Sequence, residues 1–155
     1  MWHYIKAALK IIFPLISLYF GFIKKAFKHK EKYSIEERYI KARKLLSKVV
    51  DVLDGEVHVE GIENLPKDSA FTLFSNHVSM IDPLIYISIL EKPLSIVAKK
   101  ELLKAPFVPT VLGSIDGEFL DRDDLKQSLR VMRNVQNSLA NNEIDWIIFP
   151  EGTRN

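Results

Sequence analysis

Apolar residues follow three different rhythms along this chain. From residue 11 to residue 23 they run together as IIFPLISLYFGFI, 13 positions without a charge. From Ile35 they thin out to Ile35, Tyr39, Ala42, Leu46, Val49 and Leu53, steps of three and four that place one apolar stripe on a helix. Ser34-Ile35-Glu36-Glu37 supplies a capping box at its start and Gly55 a stop, and the lysines and arginines between read as its solvated face. Beyond Glu56 the rhythm shortens again. Val57-His58-Val59 alternates like a strand, with His58 on the exposed side, and 64–68 reads as a turn. Apolar runs at 70–75, 94–98 and 144–149 predict buried strands. Between them lie a short helix at 83–90 and a longer one opening at Asp123 or Asp124. The longer helix carries Leu125, Leu129, Met132, Val135 or Gln136, and Leu139 on its apolar spacing, and Lys126, Arg130 and Arg133 on its wet side. Residues 102–109 read as an apolar loop with two prolines, and 113–122 as a glycine-punctuated segment closing in a strand. Strands alternating with helices predict an α/β fold.

Charge divides the chain where the first rhythm ends. Residues 1–32 hold seven lysines and one glutamate, a net +6, whereas the remainder balances at −4. A basic head on an acidic body predicts that one end alone meets an anionic surface. As a helix, residues 11–23 span about 20 Å, short of the roughly 30 Å hydrocarbon core of a bilayer. Lys6, Lys10, Pro14, Ser17, Gly21, Lys24 and Lys28 form a narrow polar stripe on that helix. The expectation is therefore a segment, 1–32, lying in the membrane interface with its lysines among anionic headgroups; a spanning or a core helix is the alternative. The 155 residues leave room for one further domain, 33–155. There is no cysteine, so disulfides, thiolate metal sites and acyl-cysteine intermediates are excluded. The balance of charge gives no ground for a nucleic-acid partner.

Two stretches carry candidate chemistry. Ser75-Asn76-His77-Val78-Ser79-Met80-Ile81-Asp82 follows a strand-like run, so His77 should emerge at the carboxyl end of a strand, where open α/β sheets place their sites. A histidine can take a proton from a hydroxyl, and a carboxylate such as Asp82 fixes its tautomer and steadies the imidazolium. Asp82-Pro83 is equally a good helix start, and a structural role for the pair stays open on these residues alone. The second stretch, Phe149-Pro150-Glu151-Gly152-Thr153-Arg154, follows the last strand. Its glycine lets backbone approach a ligand, Arg154 offers a planar fork for phosphate, and Glu151 can accept from a hydroxyl or hold that arginine. Lys99 and Lys100, after the 94–98 strand, and Arg122, after the next, would lie at the same sheet end if the strands run parallel.

With Asn76, His77 and Asp82 in an Asn-His-x4-Asp motif, Phe119 and Arg122 in Phe-x-x-Arg, and Phe149 to Arg154 in Phe-Pro-Glu-Gly-Thr-Arg, the sequence resembles the glycerolipid acyltransferases, and among them the bacterial 1-acylglycerol-3-phosphate (lysophosphatidic acid) acyltransferases. The resemblance runs from about Val57 to the end. It implies a mixed sheet flanked by helices, preceded by membrane-associated helices, and a place on the cytoplasmic face of the cell membrane. His77 is then the general base toward the hydroxyl of lysophosphatidic acid, oriented by Asp82. The donor is acyl-CoA or acyl carrier protein as co-substrate, with no other cofactor and no metal. The acceptor phosphate falls to Glu151, Gly152, Thr153, Arg154 and Arg122, with Lys100, and Asn76 supports the motif. Asp116-Gly117-Glu118 is more acidic than the family's usual lead into Arg122, and Asn155 stands where the family has serine. The 33–155 domain is expected to be incomplete at its carboxyl end. Another lysophospholipid or glycerol 3-phosphate as acceptor, a non-catalytic membrane-binding remnant, and Ser79 as an acyl-enzyme nucleophile are the competing readings.

Overall fold

A computed structural model describes residues 13, 15–52 and 56–152. Lys6, Lys10, Pro14, the Gly55 stop, Thr153 and Arg154 lie outside the described residues. Four strands, β1 (Thr72–Phe74), β2 (Leu94–Lys99), β3 (Glu118–Leu120) and β4 (Asp145–Ile148), form one sheet in the order β1-β4-β2-β3. All three pairings are parallel, so among the described residues the sheet is parallel rather than mixed. Each successive strand is reached through a helix that returns the chain to the same end: α3 (Asp82–Ile89), α4 (Val108–Ser114) and α5 (Leu125–Ala140). The expected strand at Val57–Val59 is absent. Alternation makes a segment strand-competent, but a strand needs a ladder partner, and both valines stay exposed without one.

The sheet is covered on both faces. Ile147, Leu94, Ile96 and Ala98 point into the main core, against α2 (Ile35–Val52), α3 and α4. Trp146 points the other way, under α5, and its Nε1 donates to Ser138 Oγ at 3.3 Å. The predicted stripe on α5 is displaced. Val131, Val135 and Ser138 are buried, while Leu125, Leu129 and Met132 are exposed. Resting on a short sheet, the helix buries a strip narrower than its apolar arc, and its first turn projects beyond it. The apolar loop at 102–109 is likewise more regular than expected: a 3-10 turn, Lys100–Lys104, leads to α4, with Pro109 in the first turn, where a missing N–H is harmless.

Helix α2 begins as its sequence requires. Ser34 Oγ accepts from Glu37 N–H and Glu37 Oε2 from Ser34 N–H, each at 3.2 Å, which closes the capping box. Tyr39 is buried and sets its hydroxyl 3.0 Å from Leu90 O and 3.2 Å from Ile87 O, at the end of α3. Arg38, expected on the solvated face, is buried. It donates to Ser114 O at 2.8 Å and to Asp116 Oδ2 at 2.7 Å. Asp116 has φ +60°, a conformation that suits a short polar side chain, and its other oxygen accepts from Lys30 Nζ at 2.7 Å.

The amino-terminal segment is docked by the same carboxylate. It is helical from Leu15, passes through a π turn at Tyr19–Ile23 and continues as α1 (Lys24–Lys28). Ile23 and Ala26 are fully buried, and the Phe27 ring lies against Gly113 of α4 where a Cβ would stand. Phe13, Ile16 and Phe20 face outward. Among the described residues no helix is long and apolar enough to cross a membrane.

Burial pushes the Asp116 carboxyl up, but the hydrogen bonds from Arg38 and Lys30 prevail and hold it below its ordinary value of 3.8. A depressed carboxyl stabilises the fold above its ordinary value and loses that contribution as pH falls through the folded one. Asp116→Asn should therefore destabilise the protein by about 2–3 kcal/mol at pH 7, below the full cost of breaking a buried pair because Asp116 is a third exposed. The gap to wild type should narrow below about pH 4. Urea denaturation at both pH values measures it.

Candidate active site

Parallel strands bring their carboxyl ends to one edge, and those of the predicted residues that are described gather there because β4 enters between β1 and β2. The ladder continues past β1, where Ser75 N–H donates to Ile148 O at 3.2 Å. His77 therefore leaves the sheet beside the last strand, and its ring lies against Phe149 with centroids 4.4 Å apart and planes at 32°. Ser75 Oγ and Tyr86 Oη, 2.7 Å apart, tie the start of this loop to α3.

Asp82 does not act as an N-cap. It is the first residue of α3, and its carboxylate turns back over the loop, where one oxygen receives three donors. Oδ2 lies 3.0 Å from His77 Nδ1, 2.9 Å from Val78 N and 2.9 Å from Ser79 N. A carboxylate only accepts, so His77 carries its proton on Nδ1 and leaves Nε2 as the basic nitrogen. Burial pushes the Asp82 carboxyl up, yet the donors from Ser79, His77 and Val78 outweigh it and keep the group below its ordinary value. The carboxylate thus stays ionised at neutral pH, with the imidazole oriented and its two flanking amides satisfied. Asn76 is exposed, and its carbonyl accepts from Ser75 Oγ. Ser79 Oγ is engaged by Ile81 N–H at 3.3 Å rather than by His77.

The turn after β4 meets the turn after β3. Gly152 has φ +63°, and a Cβ built there would fall 1.2 Å from Arg122 Nη2. The Arg122 guanidinium therefore lies directly on the glycine, which is required both for its backbone angle and for the absence of a side chain. Glu151 keeps a buried Oε2 without a partner among the described residues. Arg122 also lines a depression of about 170 Å³ with Lys99, Glu101, Leu120 and Asp123. Lys100, the expected phosphate ligand, sits differently: its Nζ is 2.6 Å from Asp121 Oδ1 and 3.5 Å from Asp123 Oδ2. Lys99 is the exposed lysine that faces the depression. A second hollow, of about 220 Å³, opens near Lys67, Lys92 and Asp145 at the opposite end of the sheet, away from His77.

Sequence reasoning missed Gln127, which organises the Arg122 loop. Its side chain accepts from Asp121 N–H at 2.9 Å and donates to Phe119 O at 2.6 Å, while its own N–H donates to Asp124 Oδ1 at 3.0 Å. The signal was present, since Asp124-Leu125-Lys126-Gln127 has the spacing of a capping box.

The family model described as Acyltransferase matches residues 56–155. The 1-acyl-sn-glycerol-3-phosphate acyltransferase of Borreliella burgdorferi is 36% identical, the match covering 64% of this chain and 40% of that protein. The human 1-acyl-sn-glycerol-3-phosphate acyltransferase alpha is 31% identical over 64% of this chain and 35% of its own length. Among solved structures, the 1-acyl-sn-glycerophosphate (LPA) acyltransferase PlsC from Thermotoga maritima matches with a TM-score of 0.66 and 30% identity, over 98% of this chain and 58% of that one. The chain spans about two fifths or less of the curated relatives' length and somewhat more than half of the solved one. The matched stretch contains His77, Asp82, Arg122 and the turn from Phe149 to Gly152 that the fold has brought to one edge, and the chain belongs to the acyltransferase family.

Proposed function

We propose that the protein transfers an acyl chain from the thioester of acyl-CoA or acyl carrier protein to the free hydroxyl of lysophosphatidic acid, forming phosphatidic acid. The observation that carries this reading is the His77–Asp82 pair, whose Nδ1···Oδ2 contact leaves Nε2 as the base, standing at the same sheet edge as the Arg122 guanidinium. The names of the relatives support the acceptor: they are acyltransferases for 1-acyl-sn-glycerol 3-phosphate.

The steps follow from the residues. His77 Nε2 takes the acceptor's hydroxyl proton as the oxygen attacks the thioester carbon. The new C–O bond forms, the C–S bond breaks, and the departing thiolate recovers the proton from the imidazolium. Asp82 stabilises that imidazolium through Nδ1. Arg122 and Lys99 hold the acceptor phosphate over Gly152, and Thr153 and Arg154, the next two residues of the Phe-Pro-Glu-Gly-Thr-Arg motif, add to that grip. Glu151, whose buried Oε2 has no partner among the described residues, accepts a hydrogen bond from the acceptor. Lysophosphatidic acid is itself a lipid, so the protein works at a membrane. On this reading the outward row Phe13, Ile16 and Phe20 enters the interface on the cytoplasmic face, with the exposed Lys24, Lys25 and Lys28 on anionic headgroups.

Thiol release from palmitoyl-CoA, followed with and without lysophosphatidic acid, tests the reaction. Release should require the acceptor, fall at least about 10³-fold in His77→Ala and about 10²–10⁴-fold in Asp82→Asn. Glycerol 3-phosphate and other lysophospholipids should compete poorly. Vesicle binding with no release in any form would identify a non-catalytic remnant.

Removing three surface charges should weaken the membrane contact without touching the site. Lys24→Gln/Lys25→Gln/Lys28→Gln is expected to bind vesicles rich in anionic lipid about 100-fold less tightly, at about 1 kcal/mol per lysine. Flotation that is unchanged in this variant would rule out the basic segment as the anchor.

A further inference from the structure

Arg122 stands between two carboxylates in the sequence, Asp121 and Asp123. A guanidinium so placed has two carboxylates close by in the chain, and two-pronged bonding to carboxylate is among its strongest interactions. Among the described residues it forms no such pair, and both carboxylates turn to Lys100 instead, at 2.6 and 3.5 Å. The Asp121 oxygen held by Lys100 also accepts from Asp123 N–H at 3.0 Å, and Ser128 Oγ donates to Asp121 O at 2.7 Å. The hydrogen bond from Lys100 is the main reason the Asp121 carboxyl lies below its ordinary value. The backbone on either side of Arg122 is thus fastened to the end of β2 and to the first turn of α5, while its side chain projects over Gly152.

We propose that Lys100 is a positioning residue and not a phosphate ligand: by occupying Asp121 and Asp123, it keeps the Arg122 guanidinium open to the acceptor's phosphate and lets Lys99 complete the grip. This rests on the reading of the acceptor as a phosphate monoester. Two effects make the arrangement useful. Without Lys100, Asp121 and Asp123 would compete with the phosphate for Arg122. Asp123, which borders the depression, would also repel a dianion arriving there, and Asp121 stands two residues before it in the chain. The loss of one lysine would therefore weaken the site through an arginine that is still present.

The distinguishing measurement is the KM for lysophosphatidic acid presented in neutral phosphatidylcholine vesicles, using the full chain. Lys100→Met should raise this KM about tenfold with a smaller change in kcat, and Lys100→Arg should retain most of the wild-type value. The decisive variant is Lys100→Met/Asp121→Asn. Removing the carboxylate freed by the first change should recover much of the lost affinity, whereas the same Asp121→Asn change in the Lys99→Met background should not. A KM unchanged in Lys100→Met, or a double variant no better than the single one, would overturn the proposal. Lys99→Met, by contrast, should lose affinity that Asp121→Asn does not restore. Wild-type protein that neither turns over nor binds lysophosphatidic acid would remove the phosphate-site reading itself. Turnover by wild type with a neutral Lys100→Met removes only the role given to this lysine.

Discussion

The insertion of β4 between β1 and β2 is the constraint on which the site depends. β1 has three residues, and its one pairing is with β4, through Thr72–Trp146, Leu73–Ile147 and Phe74–Ile148. Without that strand, the segment leading to His77 has no place in the sheet. The same insertion delivers Phe149 to the histidine ring and Gly152 to the guanidinium of Arg122. Residues more than seventy positions apart become neighbours through one ladder, so the His77 ring and the Arg122 guanidinium reach one sheet edge when the last described strand docks. Such pairing is nonlocal and should be a late event in folding, after the helices of the amino-terminal half have found one another.

Three aspartates share a second logic. Asp82, Asp116 and Asp121 each collect several donors and join pieces of chain distant in sequence or direction. Each carboxyl is held below its ordinary value, so each stays ionised at neutral pH despite some desolvation. Most of the acidic excess of the body lies on the surface, but these three carboxylates act as internal fasteners. Arg38 and Lys30 are taken up by Asp116 and Lys100 by Asp121, while Arg122 and Lys99 are the cations that line the depression. The fold thus separates charges that hold it together from charges available to a ligand.

That separation also explains what could be read from the sequence. Local signals were legible because each is written in a short run of consecutive residues: the Ser34–Glu37 capping box, the apolar runs of β1, β2 and β4, and His77 with Asp82 five positions on. Arg38 was misread because its partner, Asp116, comes from a turn 78 residues later, and helical periodicity cannot show a buried ion pair. Lys100 rather than Lys99 was expected at the phosphate, and an apolar run does not say which of two consecutive lysines at a strand end turns which way. In the structure Lys99 borders the depression, while Lys100, where the 3-10 turn starts, pairs with Asp121 and Asp123. On α5 the periodic stripe was real, but the share of it that meets the sheet depends on where the strands end. Val57–Val59 carried the right alternation and lacked a neighbour.

The amino-terminal helix has two unlike faces, and the difference bears on how the proposed lipid acceptor would reach His77. Ile23 and Ala26 are buried against the body, and Lys30 is bonded to Asp116 close behind them. Phe13, Ile16 and Phe20 point away. A segment fixed this way is not a tether, because any surface it rests on has a set height relative to the sheet edge. In the proposed acceptor the reacting hydroxyl is only a few bonds from both the phosphate and the acyl ester that anchors the molecule in the bilayer. The base must then be held close to the headgroup plane, and a flexible linker would lose that registration. The ion pair between Lys30 and Asp116, which contacts no substrate, belongs to the same geometric requirement as the bond between His77 and Asp82.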